Sequence, residues 1–367
     1  MTASVTTAVD AVVQDVTLAA ARPSVDRDST RVRVRRRPAA WVIGSGLAAL
    51  AAAAILSARV ADADSGRDLL TLGRVVGLDM AHLRWQYVTI VLAFGALHYV
   101  ATAVAARAAA GLSLPLGQTI LVQLSAAAAN RLTPAGLGGS AVTARYFSRR
   151  GMSAPSVVGS VVALSVLGGA ADLMVLTLLV FAGGWIGLGG AHHELALLMS
   201  RLAGAVAPMR SPWTWLALGA IVAVGLAVSR RLRADRPGLG QRLRAPVIGL
   251  ARQPRRLATL MSASGTTTLL LAFAFVASTA MVPGPHPQAS AGALLLGYML
   301  GAAAGNAIPT PAGVGSTETA LTAVLVAAAV PLAHAVEVVL VFRLITFWLP
   351  AAAGILATRS LRRAGAI

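Results

Sequence analysis

Several ionisable side chains stand within or beside long apolar stretches of this 367-residue sequence, where any chemistry would have to use them. The set comprises Arg131, Asp172, Glu318, Glu337 and Arg343. Ionised side chains are costly in hydrocarbon, so they pair with one another or line a pathway. Arg343 lies ten residues into the apolar stretch 333–357, too deep to reach the interface easily, and it needs an anion.

Two kinds of anion could meet Arg343. Glu318 would form a purely structural ion pair with it. Alternatively, Arg343 acts with Arg131 and Arg145 to neutralise the phosphate of a passing lipid. In that case Glu318 or Asp172 contacts a cationic group or carries a proton. Side-chain periodicity does not decide between these alternatives.

Enzymatic chemistry has little support in the sequence. The absence of cysteine excludes thiol nucleophiles and thiolate metal sites. The sequence contains no P-loop, no GxSxG, no HExxH and no dinucleotide-binding fingerprint. Adjacent His192, His193 and Glu194 point to different sides of a helix, with no third ligand evident. We therefore predict no catalytic residues, no metal site and no cofactor.

A proline-glycine motif interrupts two further apolar regions, 116–144 and 290–330. Its four letters TPAG stand at 133–136 and again at 310–313, an offset of 177 residues. Backbone groups freed by such breaks persist in a membrane only inside protein or a water-filled cavity, so we expect two helical hairpin tips. The tip residues are Thr133, Pro134, Gly136 and Gly138 in the first hairpin and Pro309, Pro311, Gly313 and Gly315 in the second, with Asn130 and Asn306 before them as candidate binding residues.

A helix restarts after each tip, near Ser140 or Ser316, and both residues suit an N-cap. Free N–H groups at such helix starts attract phosphate or carboxylate. The repeated motif therefore predicts a substrate site within the membrane. The alternative is a packing break that binds no ligand.

The same offset relates whole spans of the two halves. It places 39–58 on 216–235, 86–106 on 263–283 and 155–181 on 332–358. We predict a tandem duplication, with membrane repeat 1 at 39–181 and membrane repeat 2 at 213–357. Each repeat supplies one hairpin and three spans, each near the ~20 residues that cross a bilayer. The predicted spans are 39–57, 86–106 and 155–181 in repeat 1 and 213–229, 257–282 and 333–357 in repeat 2.

Arginine placement orients the repeats. The formal net charge is +18 and all 31 basic residues are arginine, yet 57% of the residues are hydrophobic, which favours a membrane protein over a nucleic-acid-binding protein. Most arginines fall in segments that are cytoplasmic if a disordered basic tail, 1–38, lies inside. An external linker, 182–212, and a basic cytoplasmic tail, 358–367, complete the chain. The predicted fold is an all-α polytopic membrane protein, an inverted-topology repeat of three spans plus one re-entrant helical hairpin each.

The residues also resemble a known family. Segments 130–139, 145–151, 309–318 and 342–350 look like motifs of the lysylphosphatidylglycerol synthase transmembrane-region family, also called flippase-like integral membrane proteins. The resemblance implies movement of a lipid between leaflets, best exemplified by aminoacylated phosphatidylglycerol. Synthase members carry a soluble aminoacyl-transferase domain after the membrane region. Ten residues follow the last span here, so we expect neither that domain nor synthase activity.

The leading hypothesis is a lipid translocase of the bacterial inner membrane, with both termini cytoplasmic. It would move an anionic or aminoacylated phospholipid, or a lipid-linked precursor, and its partners would be membrane phospholipids rather than nucleic acid. One alternative is a non-transporting membrane partner of a separate lipid- or glycan-modifying enzyme. Another is an intramembrane transferase, which would require Asp172 and Glu318 to converge.

Overall fold

The computed structural model describes residues 82–133, 137–182, 249–250, 252–307 and 314–367. The predicted tail 1–38, the predicted spans 39–57 and 213–229 and nearly all of the predicted external linker lie outside these residues. Within the described ranges every regular element is a helix, which confirms the all-α class.

The described helices follow one another along two stretches of chain. They are α1 (Trp85–Ala110), α2 (Leu116–Leu132), α3 (Leu137–Arg149), α4 (Ala154–Ala182), α5 (Pro254–Met281), α6 (Ala291–Ala307), α7 (Ser316–Ala327), α8 (Leu332–Arg343), a π-helical segment (Leu344–Trp348) and α9 (Leu349–Arg363). The last three elements are continuous and form one long helix, Leu332–Arg363.

Four of these helices are long and apolar enough to cross a membrane: α1, α4, α5 and the continuous helix Leu332–Arg363. They contain 26 to 32 residues, more than the ~20 that span the hydrocarbon core. They correspond to the predicted spans 86–106, 155–181, 257–282 and 333–357. The chain is therefore a multi-pass membrane protein.

Two helices run further than the sequence indicates. Helix α3 continues past the predicted hairpin end at 144, because Tyr146 and Phe147 are fully buried and anchor its last turns. Helix α9 continues to Arg363, through residues predicted as a tail, because Leu361 is buried in the same cluster. These anchoring residues stand among polar residues at the helix ends, so the sequence pattern does not indicate that the helices continue.

Helices α1 and α5 form the central antiparallel pair. At one end the Arg84 N–H donates to the Met281 carbonyl at 3.0 Å. At the other end the Arg256 guanidinium donates to the Ala108 carbonyl at 3.0 Å and so satisfies a free acceptor in the last turn of α1. Arg256 thereby fixes the start of α5 to the end of α1.

Two helical hairpins pack around this pair: hairpin 1 is α2–α3 and hairpin 2 is α6–α7. Leu114, before α2, shares a buried cluster with Phe147 of α3 and Ala106 of α1, so hairpin 1 opens beside the end of α1. The Gln288 N–H, before α6, donates to the Ala328 carbonyl, after α7, at 2.8 Å. The short connection from α5 places this opening near the start of α1. The two hairpins therefore open at opposite ends of the bundle.

Glycines let the two helices of each hairpin approach closely. A Cβ at Gly138 of α3 would lie 2.5 Å from the Ala129 carbonyl oxygen of α2. In hairpin 2, a Cβ at Gly305 of α6 would lie 2.5 Å from the Thr317 Cα of α7. Both separations are below any normal contact, so only glycine fits these crossings without backbone movement.

Candidate functional site

Glu318 lies in the first turn of α7, at the tip of hairpin 2, and holds two groups. Its Oε2 accepts a hydrogen bond from the Gly315 N–H at 2.7 Å, which satisfies a free donor at the helix start. Its Oε1 accepts one from the Arg343 Nε, also at 2.7 Å. The Glu318 and Arg343 side chains are only 7% and 12% exposed. The structure therefore contains the buried Glu318–Arg343 ion pair, which was one of the two alternatives for the anion at Arg343.

Arg343 ends α8 where the continuous helix widens into its π segment. The Leu349 N–H donates to the Leu344 carbonyl, one residue further back than in an α-helix. Pro350 follows, and because it has no N–H and its ring crowds the preceding turn, a wider turn accommodates it. This turn carries Phe347, whose ring centroid lies 3.9 Å from the Arg343 Cζ.

Arg131 reaches the same ring from hairpin 1. It lies in the last turn of α2, and its Cζ is 3.8 Å from the Phe347 centroid. Its Nη1 donates to the Ala127 carbonyl at 2.6 Å, and the Tyr99 hydroxyl of α1 is a further hydrogen-bond partner. Hairpin 1 thus meets the last span at Phe347, and hairpin 2 joins the same site through the ion pair of Glu318 with Arg343.

Each arginine keeps a buried donor without a partner among the described residues. These donors are Arg131 Nε and Arg343 Nη2. An unpaired buried donor loses its hydration without compensation, which costs about 1–3 kcal/mol. A ligand that accepts hydrogen bonds at both positions would remove that cost.

The charges of the site also favour an anion. The two guanidinium carbons lie at most about 8 Å apart, because they are 3.8 and 3.9 Å from one centroid. Two positive charges at that separation repel by about 2 kcal/mol at an effective dielectric constant of about 20. Glu318 compensates Arg343, whereas Arg131 has no carboxylate partner in the described part of the chain. A phosphate can accept hydrogen bonds from both guanidinium groups and balance the excess charge.

The start of α3 is closed by the protein's own side chains. Asn130 Oδ1 accepts a hydrogen bond from the Gly139 N–H, and Thr133 Oγ1 accepts one from the Gly138 N–H at 2.8 Å. The expectation that Ser140 caps this helix is wrong, because α3 begins at Leu137 and Ser140 lies inside its first turn.

The start of α7 differs from the expectation in the same way. Its N-cap is Gly315, whose φ of +87° favours glycine, and Ser316 is the first helical residue instead of the cap. The Ser316 hydroxyl donates to the Gly305 carbonyl at 2.7 Å and fastens α7 to α6. At both helix starts a side chain accepts a hydrogen bond from the backbone, so the protein itself already satisfies part of the donors there.

The other predicted site residues lie apart from this convergence. Arg145 is exposed on α3, and Asn306 is exposed near the end of α6. Asp172 accepts a hydrogen bond from the Thr268 hydroxyl and lines a separate cavity. The hairpin-tip residues Pro134, Gly136, Pro309, Pro311 and Gly313 lie outside the described residues.

Phe347 and Tyr99 belong to the site, although neither is among the predicted site residues. Phe347 stands four residues after Arg343, a spacing at which side chains meet on one helix face, so the pair could be found from sequence. Tyr99 reaches Arg131 from another helix. Only the tertiary fold brings those two side chains together.

The fold and site define a class: multi-pass helical membrane proteins with a buried cationic centre between two helical hairpins. The chain belongs to the family described as the lysylphosphatidylglycerol synthase TM region, whose model matches residues 43–354. The resemblance drawn from the motifs is thereby confirmed. No curated protein matches the chain significantly.

Proposed function

We propose that this protein moves an anionic or aminoacylated phospholipid, or a lipid-linked precursor, between the leaflets of the bacterial inner membrane. Membership of the family supports a role connected with lipid synthesis or flipping. The observation that carries the proposal is the pair Arg131 and Arg343, which come from hairpin 1 and from the last span, share the Phe347 ring and keep buried donors free.

The lipid phosphate binds between the two guanidinium groups. Arg131 has no competing carboxylate in the described structure and contributes most of the attraction. Arg343 is shared between Glu318 and the phosphate, so binding loosens the Glu318 ion pair that holds the tip of hairpin 2. Arginine suits this sharing because its planar group donates along several directions. Glu318 keeps the site from holding the phosphate too tightly for release.

Alternating access follows from the arrangement of the hairpins. They open at opposite ends of the bundle and meet at the arginine site, which supports the predicted inverted-topology repeat with re-entrant hairpins. Helices α2 and α6 each contain 17 residues, about 25 Å of helix, which is short for a full crossing of about 30 Å. One repeat rocks against the other and exposes the site to each leaflet in turn.

Anionic lipid collects at the end of the bundle where the basic helix ends lie. Arg107 lies in the last turn of α1, Arg149 ends α3 and Arg363 ends α9, and the cluster around Phe147 and Leu361 joins these ends. Basic segments at the cytoplasmic face attract anionic headgroups by about 1 kcal/mol per arginine. We therefore assign this end to the cytoplasm, as the arginine distribution predicts.

The chemistry that we propose is transport rather than catalysis. An intramembrane transferase would need two converging carboxylates, and here Glu318 binds Arg343 whereas Asp172 binds Thr268. The role of a membrane partner for a lipid- or glycan-modifying enzyme remains the alternative. Purification with a stoichiometric partner, and no lipid movement by the purified protein, would favour that alternative.

A leaflet-exchange assay tests the proposal. The full chain is reconstituted into vesicles that contain fluorescent phosphatidylglycerol or phosphatidylcholine, and a membrane-impermeant quencher reports the outer-leaflet fraction over time. We expect faster exchange of phosphatidylglycerol with wild type and at least about tenfold slower exchange with Arg131→Gln, the equivalent of about 1.4 kcal/mol. Arg84→Gln removes an exposed arginine at the opposite end of the bundle as a matched control and should exchange lipid like wild type. Equal rates for empty and protein-containing vesicles would contradict the proposal.

A further inference from the structure

A polar cavity lies between α1, α2, α4 and α5, away from the Phe347 ring. Its volume is about 180 Å³. Its polar lining comes from all four helices and consists of Thr102, Gln123, Asp172, Ser264 and Thr267. The cavity is open on one side and its lining also includes apolar residues, so its polar groups are accessible to a small polar guest.

Asp172 supplies the only carboxylate of this lining. It lies ten residues before the end of α4, which is about 15 Å along the helix from that end. It accepts a hydrogen bond from the Thr268 hydroxyl of α5. Within the described ranges, the ion pairs join other residues and leave Asp172 without a basic partner. A carboxylate at such depth requires one compensating positive charge.

The hydroxyl groups of the cavity are arranged as acceptors. Thr102 Oγ1 donates its proton to the Tyr99 carbonyl at 2.9 Å, and Thr267 Oγ1 donates to the Ser264 carbonyl at 2.6 Å. Because these protons serve the helices, the oxygen lone pairs remain for a ligand. One carboxylate with hydroxyl oxygen atoms beside it suits a small hard cation, and the Gln123 amide, whose buried Nε2 has no partner among the described residues, can turn its oxygen to the cation instead.

We propose that this cavity takes up a single positive charge, as Na⁺ or as a proton on Asp172, and couples that uptake to lipid movement at the arginine site. The coupling half of this inference rests on the proposed function, whereas the binding half does not. One turn of α1 connects the two sites, since Thr102 bonds the Tyr99 carbonyl and the Tyr99 hydroxyl contacts Arg131. A bound cation thus acts on the helix that positions Arg131.

Other titratable groups surround the cavity and enter its response to pH. His98 of α1 places its Nδ1 3.1 Å from the Thr267 carbonyl oxygen. Tyr298 of α6 interacts electrostatically with both Asp172 and Arg343. Arg131 approaches from α2 through Tyr99, and α5 contributes the Thr268 hydroxyl. The contribution of Asp172 to the pH response is isolated by subtracting the pH profile of Asp172→Asn, which lacks only that charge.

The binding test measures thermal unfolding of the full chain in detergent. Wild type and Asp172→Asn are compared in NaCl and in choline chloride at equal ionic strength, across a range of pH. A Na⁺ site raises the wild-type midpoint in NaCl only and leaves Asp172→Asn unchanged. A proton site gives no Na⁺ effect but a pH-dependent difference between the two proteins. Identical behaviour of the two proteins in salt and in pH would overturn the proposal.

Two further variants separate binding from misfolding. Thr102→Val with Thr267→Val removes two oxygen ligands and keeps the charge, so it should weaken Na⁺ binding by about tenfold, and a proton site should keep its pH response. Glu337→Gln removes a carboxylate that pairs with His334 on α8 and serves as the matched control. It should respond to Na⁺ and pH as wild type does.

The coupling test imposes a Na⁺ or a pH gradient on vesicles in the leaflet-exchange assay. We expect one of these gradients to change the wild-type rate and to have no effect on Asp172→Asn. Lipid exchange that ignores both gradients overturns the coupling and leaves the proposed function intact. Cation binding without any lipid exchange overturns the proposed function and leaves the cation site intact.

Discussion

Hairpin 1 and hairpin 2 share a backbone plan but not a chemistry. Both bring two helices together at a glycine, Gly138 or Gly305, and both restart a helix after a proline-glycine motif. In hairpin 1 the neutral groups of Asn130 and Thr133 accept from the restarting helix. In hairpin 2 the carboxylate of Glu318 does so.

The difference determines what each hairpin presents to the other. Because neutral acceptors close hairpin 1, Arg131 at its tip keeps its positive charge uncompensated within the described structure. Because a carboxylate closes hairpin 2, Arg343 is compensated before any ligand arrives. The motif is common to both hairpins, and the residues around it leave Arg131 without a carboxylate in the described structure while they pair Arg343 with Glu318.

Removal of Glu318, the residue that most distinguishes hairpin 2 from hairpin 1, should have the largest effect on stability. Glu318→Ala leaves the Arg343 guanidinium buried without its carboxylate and also uncaps α7, so we expect a loss of about 3–5 kcal/mol in the free energy of unfolding. Reversible unfolding of the full chain in detergent measures the loss. Glu318→Ala with Arg343→Met should recover most of it. A loss below about 1 kcal/mol would mean that the ion pair does not hold hairpin 2.

Alanine substitutions at the two crossing glycines test the feature that the hairpins share, the close approach of their two helices. Gly138→Ala and Gly305→Ala each force a Cβ against backbone at 2.5 Å, so each should destabilise the protein by about 1–3 kcal/mol. The same unfolding experiment applies. Gly95→Ala, where a Cβ meets nothing within 4 Å, is the matched control. Unequal losses at Gly138 and Gly305 would show that the two crossings are not mechanically equivalent.

Removal of the neutral cap in hairpin 1 should have the smallest effect. Asn130→Ala deletes the acceptor of the Gly139 N–H, for which we expect a loss of about 1 kcal/mol in unfolding free energy. Asn306→Ala, at an exposed position of α6, should change stability much less. Equal losses at the two positions would contradict the unequal roles that the structure gives these asparagines.

The spans were accessible from sequence, and the ion pair of Arg343 with Glu318 was one of two alternatives that the sequence left open. Apolar length predicted α1, α4, α5 and the continuous helix, because a membrane demands about 20 apolar residues whatever the tertiary contacts. The cost of a charge at depth predicted that Arg343 meets an anion, and Glu318 stands next to a motif that had to be buried. Both inferences rest on the cost of placing polar or charged groups in a membrane, and neither requires knowledge of how the helices pack.

The contact of Arg131 and Arg343 with one aromatic ring could not be predicted from the sequence, and neither could the exposed position of Arg145. Arg145 is exposed because Tyr146 and Phe147 take the buried positions of the last α3 turns. Asn306 is displaced by one residue from the partner of Asn130 at an offset of 177, and one residue on a helix turns a side chain by about 100°. Because the two motifs are similar, the sequence suggests that the two asparagines are equivalent, although their side chains point in different directions.

The central claim is that Arg131 and Arg343 together hold an anionic headgroup. Native mass spectrometry of the full chain, purified from mixed phosphatidylglycerol and phosphatidylethanolamine, tests it most directly. We predict that wild type and Arg84→Gln retain phosphatidylglycerol preferentially, and that Arg131→Gln loses that preference. Retention of phosphatidylglycerol by Arg131→Gln at the wild-type level, with the protein folded, would contradict the account.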